Sequence, residues 1–286
     1  MSQSRLATAH LADPRLRPGN VLTQRQCYDS GAKINAGGGF VKNAIILAGG
    51  KGERLRPFTE NRPKCMVPVL GNPLLSFQLR WLKAHGIERV GICCGYLHEV
   101  VKEYFGDGKQ YGVHIDYLVE TEPMGRGGAL KIGMRHFRDL GEPVLAVNGD
   151  AITNLDLTAF QQFHVNNGGA VTLVSVPLVS PYGIVDFANQ SSTVTGFTEK
   201  PELPFWINAG IYILDYRVFD ALPDKGDHEE STFPALAKIG ELQAFKTKCF
   251  WKPVDTVKDL SELRQQIEAR LLGAFFQSPQ QVRVAL

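Results

Sequence analysis

The stretch AIILAGGKGERLRPFTENRPK, residues 44–64, decides the reading of the chain. It opens as an apolar run, Ala44-Ile45-Ile46-Leu47-Ala48. It then breaks into Gly49, Gly50 and Gly52, followed by Arg54, Arg56, Arg62 and Lys64. In parallel α/β sheets, ligands sit beyond the carboxyl ends of the strands. A glycine turn there lets backbone N–H groups come close to an anion. Arginine adds a planar fork suited to phosphate oxygens, and lysine a movable point charge. The stretch therefore reads as a buried strand emptying into a phosphate-binding loop. It is neither a Walker loop, which needs GxxxxGK[ST], nor a dinucleotide fingerprint, because Leu55 stands where the last glycine of GxGxxG belongs.

Working outward, the pattern alternates. Strands are predicted at Ala44–Ala48, Val90–Cys94, Ile115–Val119 and Val144–Val147. Helices are predicted at Pro73–His85, His98–Phe105 and Gly127–Phe137. In the first helix Leu75, Leu79 and Leu82 share a face and Gly86 lies just past the end. Apolar strands alternating with amphipathic helices imply βαβ units. Further strands follow at Val171–Val176, Ile184–Phe187, Val194–Thr198 and Ile207–Leu214. Several lie too close together for crossover helices and read as hairpins extending the sheet. A helix near Thr232–Ile239 and another from Val257 to Leu272 close the pattern. In the last one Val257, Leu260, Leu263, Ile267 and Leu271 recur at helical spacing. The expected fold is α/β, with a Rossmann-like mixed, mostly parallel sheet flanked by helices. No hexapeptide series that would build a C-terminal β-helix is present.

The 286 residues suit one large domain. Residues 1–40 have no clear period and carry Pro14, Pro18, Gly19, Gly31 and the run Gly37-Gly38-Gly39, so they read as a flexible extension. Residues 41–272 read as the domain, in two halves over about 41–155 and 156–272; residues 273–286 are a tail. Residues 1–42 hold Arg5, Arg15, Arg17, Arg25, Lys33 and Lys42 against Asp13 and Asp29. The head is thus basic and the remainder mildly acidic, within a net charge of +2. That charge is too small to argue for nucleic acid. The five cysteines are odd in number and form no CxxC pair, which fits a reducing cytosol better than a disulfide framework or a zinc site. No apolar run approaches the ~18 residues of a membrane span, and the N-terminus lacks a signal-peptide core, so a cytoplasmic protein is expected.

The combination LAGGxGxRLxPxTxxRPKxMxPV is more specific than any of its parts. It resembles the sugar-1-phosphate nucleotidylyltransferases, or nucleotide-sugar pyrophosphorylases. The resemblance continues through Gly95-Tyr96, Glu122-Pro123-Met124-Gly125, Asn148-Gly149-Asp150, Tyr182-Gly183-Ile184-Val185, Glu199-Lys200-Pro201 and Ile207-Asn208-Ala209-Gly210, closing with Trp251-Lys252-Pro253-Val254-Asp255-Thr256. In family order it covers roughly residues 43–265. It implies that an NTP and a sugar-1-phosphate give an NDP-sugar and pyrophosphate. It also implies a nucleotide site at Leu47, Ala48, Gly49, Gly50, Gly52, Glu53, Arg54, Gly125 and Asp150. Arg54 and Lys64 would act as the catalytic cations, on the β- and γ-phosphates and near the α-phosphate respectively. Mg²⁺ would be held by Asp150 and Asp255, and the sugar phosphate by Gly183, Glu199, Lys200 and Asn208. Asp150 sits directly after a strand, where a carboxylate is well placed for a hard cation. Asp255 competes with an N-cap role, which Thr256 can take instead. Arg56 or Arg62 is expected to brace the loop by pairing with Glu53 or Glu60.

Two departures from the family pattern stand out. Cys65 replaces the proline that often follows RPK, and reads as a small buried hydrophobe. Gly125-Arg126-Gly127-Gly128 replaces GTAG, leaving Arg126 either on the base or phosphate or in solvent. Residues 57–135 look most like GDP-mannose pyrophosphorylases and related guanylyltransferases, while Phe250–Thr256 is also similar to glucose-1-phosphate cytidylyltransferases. GTP is the favoured nucleotide, with CTP, dTTP and UTP open, and the sugar is not readable. A catalytically silent regulatory homologue is expected to lose Arg54, Lys64 or an aspartate, and all are present. A glycosyltransferase would need a DxD motif, which Asn154-Leu155-Asp156 does not supply. A homodimer is compatible with the sequence.

Overall fold

The computed structural model describes residues 41–268 apart from Gln190; the extension over 1–40, the tail over 273–286 and the predicted helical residues 269–272 lie outside the described residues. In chain order the elements are β1 (Asn43–Leu47), β2 (Pro68–Val69), β3 (Asn72–Pro73), α1 (Leu74–Ala84), β4 (Arg89–Cys94), α2 (His98–Phe105), β5 (His114–Val119), α3 (Gly125–His136), β6 (Val144–Asn148) and β7 (Ala151–Thr153). There follow α4 (Leu157–Asn167), β8 (Val171–Val179), β9 (Ile184–Phe187), β10 (Val194–Thr198), β11 (Glu202–Leu214), α5 (Thr232–Lys238), β12 (Leu242–Lys246), β13 (Trp251–Pro253) and α6 (Val257–Glu268).

Seven strands form the central sheet in the order β12-β8-β11-β6-β1-β4-β5. β1 pairs in parallel with both β4 and β6, and β4 with β5. β11 alone runs against its neighbours β6 and β8, and β12 returns parallel to β8. The sheet is mixed and mostly parallel. β1 lies in its middle because both faces of its residues are apolar. Ala44 and Ile46 enter the core on one face and Ile45 the core on the other, as the two-residue period of a strand demands.

α1 buries Leu75, Leu79 and Leu82 on the first face. α3 buries Ala129, Leu130 and Met134 on the second. A third cluster joins Leu55, Val67, Leu74, Ile152 and Val254 to Leu260, Leu263 and Ile267 of α6. It places the last helix under the loop that carries the arginines.

β9 and β10 do not extend the main sheet. They pair only with each other, every residue of β9 is exposed, and β11 shifts register against β8 between Glu202 and Trp206. Its apolar side chains, Ile184, Val185, Phe187, Val194 and Phe197, are all exposed, so no buried face ties the hairpin to the sheet. α4 appears where no helix was expected. Its buried positions, Leu157, Phe160, Gln161 and His164, have helical spacing, but two of the four are polar. Asp156 caps it by accepting from the amides of Thr158 and Ala159. None of the described helices is long and apolar enough to cross a membrane.

Candidate active site

The glycine turn is shaped by its own residue types. Ala48 N donates to Cys93 O at 2.8 Å, which carries the chain just past the end of β1. Gly52 has φ +68, and a Cβ there would meet Lys64 Cβ and Thr59 Cγ2 at 3.0 Å. Left-handed backbone and close approach both call for glycine. Glu53–Leu55 forms a short 3₁₀ turn pinned by fully buried Leu55. Thr59 Oγ1 donates to Gly52 O at 2.8 Å, and Lys64 N to Gly50 O at 3.2 Å. The chain thus doubles back and lays Lys64 along the turn.

Lys64 Nζ lies 2.7 Å from Asp150 Oδ2 and 2.5 Å from Asp255 Oδ1. Arg54 Nη2 lies 3.3 Å from the same Asp255 oxygen. Burial works against the Lys64 charge, but the two carboxylates outweigh it and hold its pKa above the ordinary lysine value. Backbone bonds explain how residues so far apart converge. Gly149 N donates to Leu47 O at 2.9 Å, and Val254 N to Asp150 O at 2.8 Å. Gln78 Nε2 donates to Asn148 O and Ala151 O at 2.7 and 2.8 Å, clamping the turn that bears Asp150. Thr256 Oγ1 and the Thr256 amide both donate to Asp259 Oδ2, so α6 starts without drawing on the Asp255 side chain.

Two carboxylates sharing one cation beside a glycine turn suit a hard divalent ion. Mg²⁺ takes one or two carboxylates and completes its shell with waters and substrate phosphates. Among the described residues no cluster of three or more His, Cys, Asp or Glu side chains offers a closed cage.

The remaining expected residues fall in three places. Gly125 opens α3 against the carbonyl of Gly226. Gly183 faces Phe197 and Glu199 across the β9–β10 hairpin, with Lys200 Nζ 3.9 Å from Glu199 Oε1. Asn208, on β11, is exposed; its Nδ2 donates to the Tyr212 hydroxyl at 2.8 Å and its Oδ1 accepts from Gly210 N at 3.0 Å. The Gly210 backbone packs against the Asn148 side chain, two residues from Asp150. Gly183, Glu199 and Lys200 make no hydrogen bond or ion pair with the Lys64 cluster.

Several expectations are corrected. Arg56 and Arg62 pair with neither Glu53 nor Glu60; Arg62 Nε donates to Asn61 Oδ1 instead, because Glu53 and Glu60 point into solvent. Arg126 does not stand free in solvent. It is tied to Asp227 at 2.8 Å and to Glu229 at 2.9 Å. Cys65 is buried, and burial pushes its thiol up to about 12, that of an unreactive core residue.

Glu120 is a candidate site residue that motif reading passes over. Its carboxylate lies beside Gly49 and accepts from Met124 N at 3.2 Å, and burial raises its pKa. The reasoning that singles out Asp150, a carboxylate at the carboxyl end of a strand, applies equally to Glu120 after β5. Gln78 carried no such signal, because a glutamine inside an amphipathic helix reads as a solvent-facing residue.

A Rossmann-like sheet with a cation-bearing glycine turn and two carboxylates at its carboxyl edge defines a nucleotide-binding type of α/β protein. The chain belongs to the nucleotidyl transferase family, whose model matches residues 43–270. It is 34% identical over 225 residues to a mannose-1-phosphate guanylyltransferase of Mycobacterium tuberculosis, covering 76% of this chain and 62% of that protein. It is likewise 34% identical over 236 residues to a UTP–glucose-1-phosphate uridylyltransferase of Synechocystis, covering 76% of this chain and 61% of the relative. The chain thus spans about 62% of the length of these curated relatives. Among solved structures, that of HddC from Yersinia pseudotuberculosis superposes with a TM-score of 0.65 at 25% identity, covering 79% of this chain and all of the other.

Proposed function

We propose that this protein is a sugar-1-phosphate nucleotidylyltransferase, acting in the cytoplasm with Mg²⁺ and preferring GTP. The observation that carries the reading is the Lys64 ammonium held between Asp150 and Asp255 beside the glycine turn.

A phosphate oxygen of the sugar-1-phosphate attacks the α-phosphorus of the NTP in line. The new P–O bond joins the NDP-sugar, the bond between the α-phosphorus and the bridging oxygen breaks, and pyrophosphate leaves with that oxygen. Two polyanions must meet, so positioning and charge neutralisation supply most of the catalysis. The turn from Leu47 to Glu53, with Gly125, seats the nucleotide. Arg54 holds the β- and γ-phosphates and steadies the departing pyrophosphate. Lys64 serves the α-phosphate and the incoming sugar phosphate. Asp150 and Asp255 hold the Mg²⁺, which when bound neutralises charge on the α-phosphate and the leaving group. Gly183, Glu199 and Asn208 contact sugar hydroxyls, and Lys200 the sugar phosphate.

Glu120 favours guanine. A carboxylate accepts hydrogen bonds only, and the guanine edge offers a ring N–H and an amino group together, whereas uracil and thymine offer one ring N–H beside two carbonyls. The guanylyltransferase relatives point the same way. The cytoplasmic reading rests on the free thiols of Cys65, Cys93, Cys94 and Cys249.

A pyrophosphate-release panel with Mg²⁺ tests the reading, each NTP against mannose-, glucose- and galactose-1-phosphate. Release confined to GTP and one sugar phosphate supports it, with preference moving away from GTP in Glu120→Gln. Absence of both turnover and NTP binding overturns it.

A further inference from the structure

Arg126 sits at the start of α3, beside Gly125 of the proposed nucleotide site, and its guanidinium is paired with Asp227 and Glu229. It is exposed enough to reach a ligand, but both ends are committed to carboxylates of the 227–229 segment. Arg126 N and Nη2 donate to the two oxygens of Asp227, each at 2.8 Å. Nη1 lies 2.9 Å from Glu229 Oε1. The same Glu229 oxygen receives the Tyr212 hydroxyl at a long 3.4 Å. Tyr212 in turn accepts from Asn208 Nδ2 at 2.8 Å. Tyr212 is fully buried, so its ring cannot wander, while Asn208 is open to solvent.

The bulge between Asn208 and Tyr212, where β11 slips register against β8, is what allows the contact. In a regular strand, residues four apart share a face but stand roughly 13 Å from each other. The bulge turns the chain so that the two side chains meet. Asn208 then has one amide hydrogen and one carbonyl lone pair spent inside the protein. One of each is left, aimed outward in a fixed amide plane.

We infer that Arg126, Glu229 and Tyr212 are positioning residues for Asn208, so that a cation at the nucleotide side of the site sets recognition on the sugar side. The inference rests on the proposed contact between Asn208 and the sugar. Glu229 is the pivot. Arg126 Nη1 and the Tyr212 hydroxyl meet on the same oxygen, Oε1, and the arginine charge opposes the rise in pKa that burial imposes on the carboxyl. Its other oxygen, Oε2, is buried 3.5 Å from His228 Nε2 without a hydrogen bond, so Oε1 carries the hydrogen bonding of the carboxylate.

The test uses the full chain with GTP and mannose-1-phosphate, or the pair the panel selects, and follows three variants. Tyr212→Phe removes only the hydroxyl. Glu229→Gln keeps the shape and removes the charge that Arg126 supports. Asn208→Ala removes the proposed sugar contact itself. In Tyr212→Phe and Glu229→Gln the KM for the sugar phosphate is expected to rise about five- to tenfold, the effect of losing one hydrogen bond, with the KM for the nucleotide unmoved. Deoxy analogues of the sugar phosphate supply a second readout. The analogue that lacks the hydroxyl met by Asn208 is discriminated against by the wild type and no longer by Tyr212→Phe. Calorimetric titration with the NDP-sugar reports the same loss without turnover. If Asn208→Ala raises the sugar KM while the other two variants do not, the relay is overturned and the sugar contact stands. If Asn208→Ala leaves the sugar KM unchanged, the contact and the relay both fall. A nucleotide KM that rises in parallel with the sugar KM also overturns the relay, since a general loosening moves both.

Discussion

The amide of Val254 donates to the carbonyl of Asp150 at 2.8 Å. Beside the antiparallel β7–β13 pairing, this backbone bond holds the turn after β6 against the end of β13, and the two set Asp255 opposite Asp150. Lys64 then closes the gap between the two carboxylates.

Asp150→Asn and Asp255→Asn are each expected to lower kcat/KM for pyrophosphate release by about a hundredfold or more, the range seen when one preorganised charge-stabilising group is lost. Chelation by EDTA should abolish release in the wild type, and added Mg²⁺ should restore it. A variant that kept full rate would remove that carboxylate from the site.

Gln78→Leu deletes the donor to Asn148 O and Ala151 O, two acceptors flanking Asp150. Orphaned buried carbonyls cost about 1–3 kcal/mol, read as a lower urea midpoint. Pyrophosphate release should fall as well, because Asp150 rides on that turn. Unchanged stability and rate would show that the turn holds its shape without the clamp.

Gly210 has φ +71, and a Cβ there would fall on the amide of Asn148. Gly210→Ala therefore meets backbone strain and a clash together. It should destabilise by about 1–3 kcal/mol in denaturant titration. It should also weaken sugar-phosphate binding, because Gly210 N is one of the two groups that hold Asn208.

His228 is fully buried against Tyr212 and Phe233, and neither ring nitrogen has a hydrogen-bond partner. Burial, reinforced by the Arg126 charge and opposed by Asp227, pulls its pKa from 6.5 down to about 4. Below pH 6.5 the unfolded chain binds a proton that the folded chain refuses. Stability contributed by the neutral ring is therefore complete above that pH and lost as pH falls towards 4. The loss reaches at most about 3 kcal/mol. Urea midpoints measured between pH 7 and pH 4.5 should fall, and His228→Leu should flatten the slope.

Much of the fold can be read from the chain because β1, β4, β5 and β6 are apolar runs followed by glycine or helix-start signals. α4 could not be read that way, since Gln161 and His164 occupy core positions of its face. Their polarity is answered by tertiary partners: Val41 N for the glutamine and Thr172 Oγ1 for the histidine. β7 and β13 are three residues each, too short for any period to register. The β9–β10 hairpin was legible as two strands but not as a separate sheet, because sheet membership depends on what buries a face. In the site, Arg54, Lys64, Asp150 and Asp255 stand in motifs, and the structure gathers those four side chains together. Gln78, Glu120 and Glu229 act through partners 70 to 103 residues away or across a turn, and no local spacing announces them. Arg126 stood out only as a departure from GTAG, and its ion pairs were not foreseeable without the 227–229 segment beside it.

The Asp150–Val254 bond also has a meaning for synthesis. A chain emerging from the ribosome makes its glycine turn, Arg54, Lys64 and Asp150 well before its second carboxylate, and a domain folds as a unit. Until Val254 and Asp255 arrive, Lys64 has one acidic partner and the proposed metal site one carboxylate. A nascent chain or one truncated ahead of Val254 therefore carries most of the nucleotide-facing parts without the means to use them.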